Sequence, residues 1–181
     1  AVQGFLRHKL PTVGINSIAL SGHKVHAPKG IGALWFSART SIRPMTYGGG
    51  QEQGLRPGTE NTPGIAGLYA AITAYPRTNA MRALKLKLWH KLREGIPAIR
   101  VNGPQPEAGT AADHILNVSF SPVRAETMLH ALEGAGVLVG NGSACSSRKA
   151  QVSRVLKAMQ VPPRDAECAI RFSLNPYLSE A

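Results

Sequence analysis

The segment Ile15-Asn16-Ser17-Ile18-Ala19-Leu20-Ser21-Gly22-His23-Lys24-Val25-His26-Ala27-Pro28-Lys29-Gly30-Ile31-Gly32 decides how this chain is read. Residues 15–20 make a short apolar run of strand character that passes through a glycine turn into Lys24. Residues 31–36, Ile-Gly-Ala-Leu-Trp-Phe, make a second such run. Between the two lies a basic, glycine-rich stretch. A primary amine held at a strand end beside flexible, small residues is suited to covalent chemistry on a carbonyl group. As an isolated tetrapeptide, Ser21-Gly22-His23-Lys24 is also what an ordinary surface turn looks like. Its meaning comes from the segments that follow it.

Working outward, Gly48-Gly49-Gly50 and Arg56-Pro57-Gly58-Thr59 enclose a polar loop. Thr62-Pro63 predicts a helix start, with Thr62 as cap and proline in the first turn. Ile65, Leu68, Tyr69 and Ile72 follow at helical spacing as one apolar stripe. Pro76 ends or kinks that helix. A second helix carries Met81, Leu84, Leu88 and Leu92 on one face and stops at Gly95 and Pro97. The spacing predicts a loop over 101–109, a strand over 115–120, a helix over 125–133 with Met128, Leu129 and Leu132 inward, and a short strand over 137–139. Val152, Val155, Leu156 and Met159 form a further helical stripe. Residues 169–174 alternate, with Ile170, Phe172 and Leu174 on one face and Arg171 and Ser173 on the other. Strands alternate with helices, so the expected class is α/β or α+β. The pattern changes near Pro76, which divides the chain into residues 1–76 and 77–181.

Composition narrows the function classes. The 181 residues suffice for one ordinary domain or two small ones, and 43% hydrophobic residues can build a core. No apolar run approaches the about 18 residues that a membrane span needs. The net charge is +11. Its carriers, Arg39, Arg43, Arg82, Lys85, Lys87, Arg93, Lys149, Arg154 and Lys157 among them, are scattered and not interleaved with aromatic residues, which argues against nucleic-acid binding. Two cysteines, Cys145 and Cys168, make neither a disulfide framework nor a metal motif, and suit a reducing, cytoplasmic setting. His8, His26, His90, His114 and His130 show no ligand spacing, so no metal site is expected.

Three more residues carry candidate chemistry. Cys145 lies in Gly140-Asn141-Gly142-Ser143-Ala144-Cys145-Ser146-Ser147-Arg148-Lys149. Small neighbours leave the thiol accessible, and Arg148 and Lys149 favour the nucleophilic thiolate. The competing reading, a small buried hydrophobe, fits Cys168 instead, which leads into an apolar strand. Arg171 faces away from the apolar side of its strand. It is either a solvated or ion-paired arginine, or a planar clamp for a substrate carboxylate. Thr59 is either a turn cap or a phosphate contact. His23 stacks, shuttles protons, or is only a polar neighbour of Lys24.

Taken in order, four segments resemble the cysteine desulfurases of the NifS and IscS type, in the class-V aminotransferase group. They are Ser21-Gly22-His23-Lys24; Gly48-Gly49-Gly50-Gln51-Glu52 through Arg56-Pro57-Gly58-Thr59-Glu60-Asn61; Ile115-Leu116-Asn117-Val118-Ser119-Phe120; and Gly142-Ser143-Ala144-Cys145-Ser146-Ser147 with Ile170-Arg171-Phe172-Ser173-Leu174. The resemblance implies an incomplete fold-type-I enzyme dependent on pyridoxal 5'-phosphate: residues 1–76 as the C-terminal portion of the cofactor-binding large domain, 77–181 as a small α+β domain. It implies a homodimer, L-cysteine as substrate, alanine as product, and a sulfur-acceptor protein in iron–sulfur cluster assembly or tRNA thiolation. Lys24 matches the lysine that binds the cofactor as a Schiff base. Cys145 matches the cysteine that receives sulfur as a persulfide, and Arg171 the arginine that binds the substrate carboxylate. Thr59 matches a threonine that reaches the phosphate of the neighbouring subunit's cofactor. Gln3 matches a glutamine on the cofactor's phenolic oxygen, and His23 and Ser21 belong to the same cofactor-binding motif. In the family an aspartate pairs with the pyridine nitrogen a few residues before the glutamine; here it would fall before Ala1. Both ends look cut, so the expectation is that an N-terminal half of the same enzyme is missing and that this chain alone is inactive. Other members of the fold, such as a selenocysteine lyase, and a non-enzymatic sulfur-carrier or RNA-binding partner, stay open as alternatives.

Overall fold

The structure is a computed structural model that describes residues 4–7, 10, 13–76, 80–141 and 153–179. The chain divides into two compact units, Ala1–Arg77 and Thr78–Ala181.

In the first unit, strand β1 (Ser17–Ser21) pairs antiparallel with β2 (Gly32–Phe36), with Ser21 opposite Gly32 and Ser17 opposite Phe36. A single 3-10 turn, Gly22–Val25, leaves β1 and carries Lys24. Helix α1 (Thr62–Ala74) packs against this turn. Its cap is Asn61 rather than the expected Thr62: the Asn61 side-chain oxygen accepts from the Gly64 N–H at 3.0 Å. Both residues are good caps by type. Proline at the second helical position places the acceptor one residue earlier than the sequence suggests. The α1 stripe is only partly buried: Leu68 and Ile72 are half-buried, but Ile65 and Tyr69 are exposed.

The second unit is a three-stranded antiparallel sheet in the order β3 (Arg100–Val101), β4 (Ile115–Ser119), β5 (Ala169–Ser173). Helices α2 (Ala80–Gly95) and α3 (Ala125–Gly134) supply the cover for one face. Trp89, Leu116, Val118, Phe120, Ala125 and Ile170 form the core there, with Leu88, Leu92, Met128, Leu129 and Phe172 packed around it. Phe120 and Phe172 meet edge to face at 6.3 Å, a favoured aromatic geometry. Two short helices, α4 (Arg154–Ala158) and α5 (Pro163–Glu167), close a second cluster of Leu156, Val161, Ala166 and Ala169.

Three local expectations are corrected. The expected face of α2 is wider than its leucine stripe: Met81 is buried and Leu88 and Leu92 pack on the core as expected, but Lys85 and Trp89 are the more deeply buried residues beside them. Residues 137–139 form no strand; Leu138 is 83% exposed, and only Gly140 makes a bridge, to Arg171. Strand β3 lies where no regular element was expected, because Arg100 and Val101 pair with Ser119 and Val118 far along the chain. The alternation read over 169–174 is present, and Cys168 is buried at the start of β5.

Candidate active site

The site in the first unit is built on the end of β1. Gly22 is buried, and its N–H donates to Ile31 O at 2.9 Å. A Cβ at Gly22 would lie 2.9 Å from Ile31 O and 3.1 Å from the Ala27 Cβ, so only glycine lets the returning chain approach this closely. The turn closes with His26 in the left-handed region (φ 67°), its N–H donating to Gly22 O. Lys24 is thereby fixed through its backbone and left half-buried through its side chain. Among the described residues its ammonium has no hydrogen bond or ion pair, and no acidic residue precedes Glu52 in the sequence.

Arg7, which the sequence reading passed over, holds the turn from behind. Its Nη2 donates to Lys24 O at 2.9 Å, and its guanidinium lies 5.6 Å from the centre of the Tyr75 ring. That is within the range of a cation–π contact. The His26 ring stacks against the same tyrosine, centroids 6.1 Å apart. Arginine, tyrosine and histidine thus form a layer beneath the lysine turn. No local pattern reports it, because its members come from both ends of the unit.

Ser21, His23 and Lys24 share this one turn, with Ser21 half-buried and His23 exposed. Thr59 is exposed on a separate loop of the same unit. That loop is organised by its own residues: Gln51 Oε1 accepts from Gly58 N at 3.3 Å, and Arg56 Nη1 donates to the carbonyls of Gly58 and Thr59 at 3.2 and 3.4 Å. The Thr59 hydroxyl has no hydrogen-bond partner among the described residues. Gln3 and Cys145 lie outside the described residues.

Arg171 belongs to the second unit. It stands on β5 opposite Asn117 of β4, on the sheet face away from Ile170 and Phe172. Its Nε donates to Ser173 Oγ at 3.2 Å. Its main chain is bridged to Gly140: Gly140 N donates to Arg171 O at 3.0 Å, and Arg171 N donates back to Gly140 O. The segment that carries Cys145 in sequence therefore starts from a residue tied to Arg171. Farther along the same face, Asp165 of α5 is stitched to the sheet. Its Oδ2 accepts from Arg100 and its Oδ1 from Ser121, both at 3.0 Å, and its carbonyl accepts from Ser119 Oγ at 2.7 Å. No group of three or more histidine, cysteine or acidic residues suited to a metal is found among the described residues.

These residues fit part of a pyridoxal phosphate site. An unpaired amine meets the need for a nucleophile toward the aldehyde, and the hydroxyls of Ser21 and Thr59 are donors of the type a phosphate takes. An acid to pair with the ring nitrogen is not supplied by the first 51 residues.

Lys24 on its glycine turn belongs to the first unit and Arg171 on its strand to the second. The profile of the class-V aminotransferase family matches residues 1–181, and the chain belongs to that family. It is 41% identical to a cysteine desulfurase of Bradyrhizobium diazoefficiens, over 98% of this chain and 46% of that protein. It is 38% identical to cysteine desulfurase 2 of Trichormus variabilis, over 95% of this chain and 44% of the relative. Among solved structures, a NifS-like protein superposes with a TM-score of 0.81 at 34% identity, covering 99% of this chain and 47% of the other. The chain spans about half the length of the relatives it matches, and the matched part is their C-terminal half.

Proposed function

We propose that this chain supplies the lysine and the thiol of a pyridoxal-phosphate-dependent cysteine desulfurase, which takes sulfur from L-cysteine and leaves L-alanine. The observation that carries this reading is the Lys24 turn: a backbone held by Gly22 and Arg7 presents an amine that has no hydrogen bond or ion pair among the described residues. The relatives, desulfurases at 38–41% identity, name the chemistry. Residues 1–76 then belong to the cofactor-binding domain and 77–181 to the smaller domain.

Lys24 would hold the cofactor, with Ser21, His23, Gln3 and Thr59 as further contacts, Thr59 toward a neighbouring subunit in a homodimer. Bound pyridoxal phosphate would supply an electron-withdrawing ring that acidifies the substrate's α-hydrogen. Lys24 moves protons at the substrate's α- and β-carbons. Arg171 takes the carboxylate on its planar fork and so fixes the substrate's orientation. The Cys145 thiolate attacks the substrate sulfur. An S–S bond forms and the C–S bond breaks; its electron pair goes to the β-carbon, which takes up a proton. The products are alanine and a persulfide on Cys145. A sulfur-acceptor protein would take the outer sulfur next, in a cytoplasmic setting that the sparse cysteines of the sequence support.

The test is the holoenzyme supplied with L-cysteine under a thiol reductant. Equimolar alanine and sulfide are expected. Cys145→Ala should lower sulfide release at least about 10²-fold, the scale at which loss of a nucleophile stands clear of secondary effects, with the cofactor's visible absorbance retained. Unchanged turnover in that variant would refute the assignment of Cys145.

A further inference from the structure

We infer that Gly140 is a positioning residue for the Arg171 guanidinium, and through it for the substrate's carboxylate; the inference rests on the assignment of Arg171 proposed above. A Cβ built on Gly140 finds the Arg171 guanidinium as its three nearest contacts: Nη2 at 3.0 Å, Cζ at 3.5 Å and Nε at 3.7 Å. The guanidinium therefore lies against the bare Cα of Gly140.

Two observations make this contact a constraint. The main chains of Gly140 and Arg171 are joined by a pair of reciprocal hydrogen bonds. Such a pair fixes the two Cα atoms at a set separation, so a side chain at position 140 is not relieved by sliding one segment past the other. Nε meanwhile donates to Ser173 Oγ at 3.2 Å, a second contact on the same guanidinium. What yields to a methyl group is the guanidinium itself. Gly140 does not occupy the left-handed region, so alanine meets no backbone strain there and its conflict is with Arg171.

A carboxylate gripped by two parallel N–H donors is sensitive to small displacements of the fork. Misplacement by about 1 Å in such a contact is worth about 10²-fold, and the few tenths of an ångström that a methyl group demands correspond to about fivefold. Bulkier side chains displace the fork farther. The effect is therefore expected on a ligand's carboxylate, the group assigned to Arg171, and not on its amine.

The experiment compares two ligands that lack sulfur, so no turnover intervenes: L-alanine, and ethylamine as its counterpart without the carboxylate. Each is titrated into the holoenzyme, and binding is followed by the change in the cofactor's absorbance. Gly140→Ala is expected to weaken L-alanine about fivefold and Gly140→Val more than tenfold. Ethylamine should stay within about twofold of the parent, with the melting temperature unchanged for Gly140→Ala. Equal weakening of both ligands would overturn the inference, since it would mean general loosening. An unaltered L-alanine affinity in both variants would also overturn it, provided Arg171→Lys weakens L-alanine. If Arg171→Lys itself leaves L-alanine unaffected, the underlying assignment of Arg171 falls and the inference falls with it.

Discussion

Lys85 is 1% exposed, among the most completely buried side chains of the described residues, on the face of α2 that packs toward the second unit's core. Its Nζ donates to Ala112 O at 2.9 Å. Burial lowers its pKa from the usual lysine value, an effect that Asp113 opposes and Arg82 reinforces. A lysine whose folded pKa is depressed binds fewer protons folded than unfolded in the interval below the ordinary value of 10.5. Stability therefore rises with pH through that interval as the cost of the buried charge is relieved. Lys85→Met keeps the volume of the stem and removes the charge, while Ala112 O still accepts from the Ile115 N–H at 3.3 Å. The variant should be more stable at pH 7 by about 1 kcal/mol, the low end of the gains seen when buried charges give way to apolar groups. The difference should shrink as pH approaches 10.5. Chemical denaturation at pH 7 and pH 10 checks both; a difference independent of pH would assign the gain to packing alone.

At the scale of elements, what a sequence shows depends on whether an element's face is decided locally. The β5 alternation was legible because Ile170 and Phe172 go to the core and Arg171 and Ser173 do not. The α2 face was legible only in part: Met81, Leu88 and Leu92 turn inward, but the lysine and tryptophan buried at its centre are made acceptable by distant partners. Trp89 Nε1 reaches Glu107 at 3.0 Å, and Lys85 reaches Ala112. Residues 137–139 read as a strand by composition, yet a strand needs a partner row and only Gly140 finds one. The same limit governs the site. The Lys24 turn is contiguous and was visible, whereas Arg7 behind it and Gly140 beside Arg171 are joined only by folding. Two element-level tests follow. Asn61→Ala removes the cap of α1 and should cost about 1 kcal/mol, with Thr62 unable to replace it while Pro63 stays in the first turn. Ile170→Ala opens the centre of the three-stranded sheet and should cost about 2–5 kcal/mol. Urea midpoints at constant slope measure both; an Asn61→Ala midpoint equal to the parent's would remove the capping assignment.

At the scale of the whole chain, two opposing features coexist. The net charge of +11 drives copies apart. Against it stand large apolar side chains left in solvent on the first unit: Met45 at 96%, Tyr47 at 84% and Tyr69 at 72% exposure, with Ile65 beside Tyr69 on α1. Ile65 and Tyr69, four residues apart on α1, lie side by side, and neighbouring exposed apolar side chains of this kind are where another surface can settle. No helix among the described residues is long and apolar enough to cross a membrane, so α1 is not read as a span seeking lipid. Charge repulsion is screened over about 10 Å at 0.1 M salt and about 3 Å at 1 M, while apolar association is not weakened by salt. The 181-residue chain on its own should therefore be best dispersed at low ionic strength and self-associate as sodium chloride is raised, the reverse of a protein held together by ion pairs. Sedimentation velocity between 20 mM and 0.5 M salt reads this directly. Replacing Ile65 and Tyr69 together by serine should delay the onset without altering the helix, since both side chains already face water. A chain that stays monomeric across the whole range would show that these side chains are not a joining surface. Association that dissolves on adding salt would show that charge, and not apolar contact, brings the copies together.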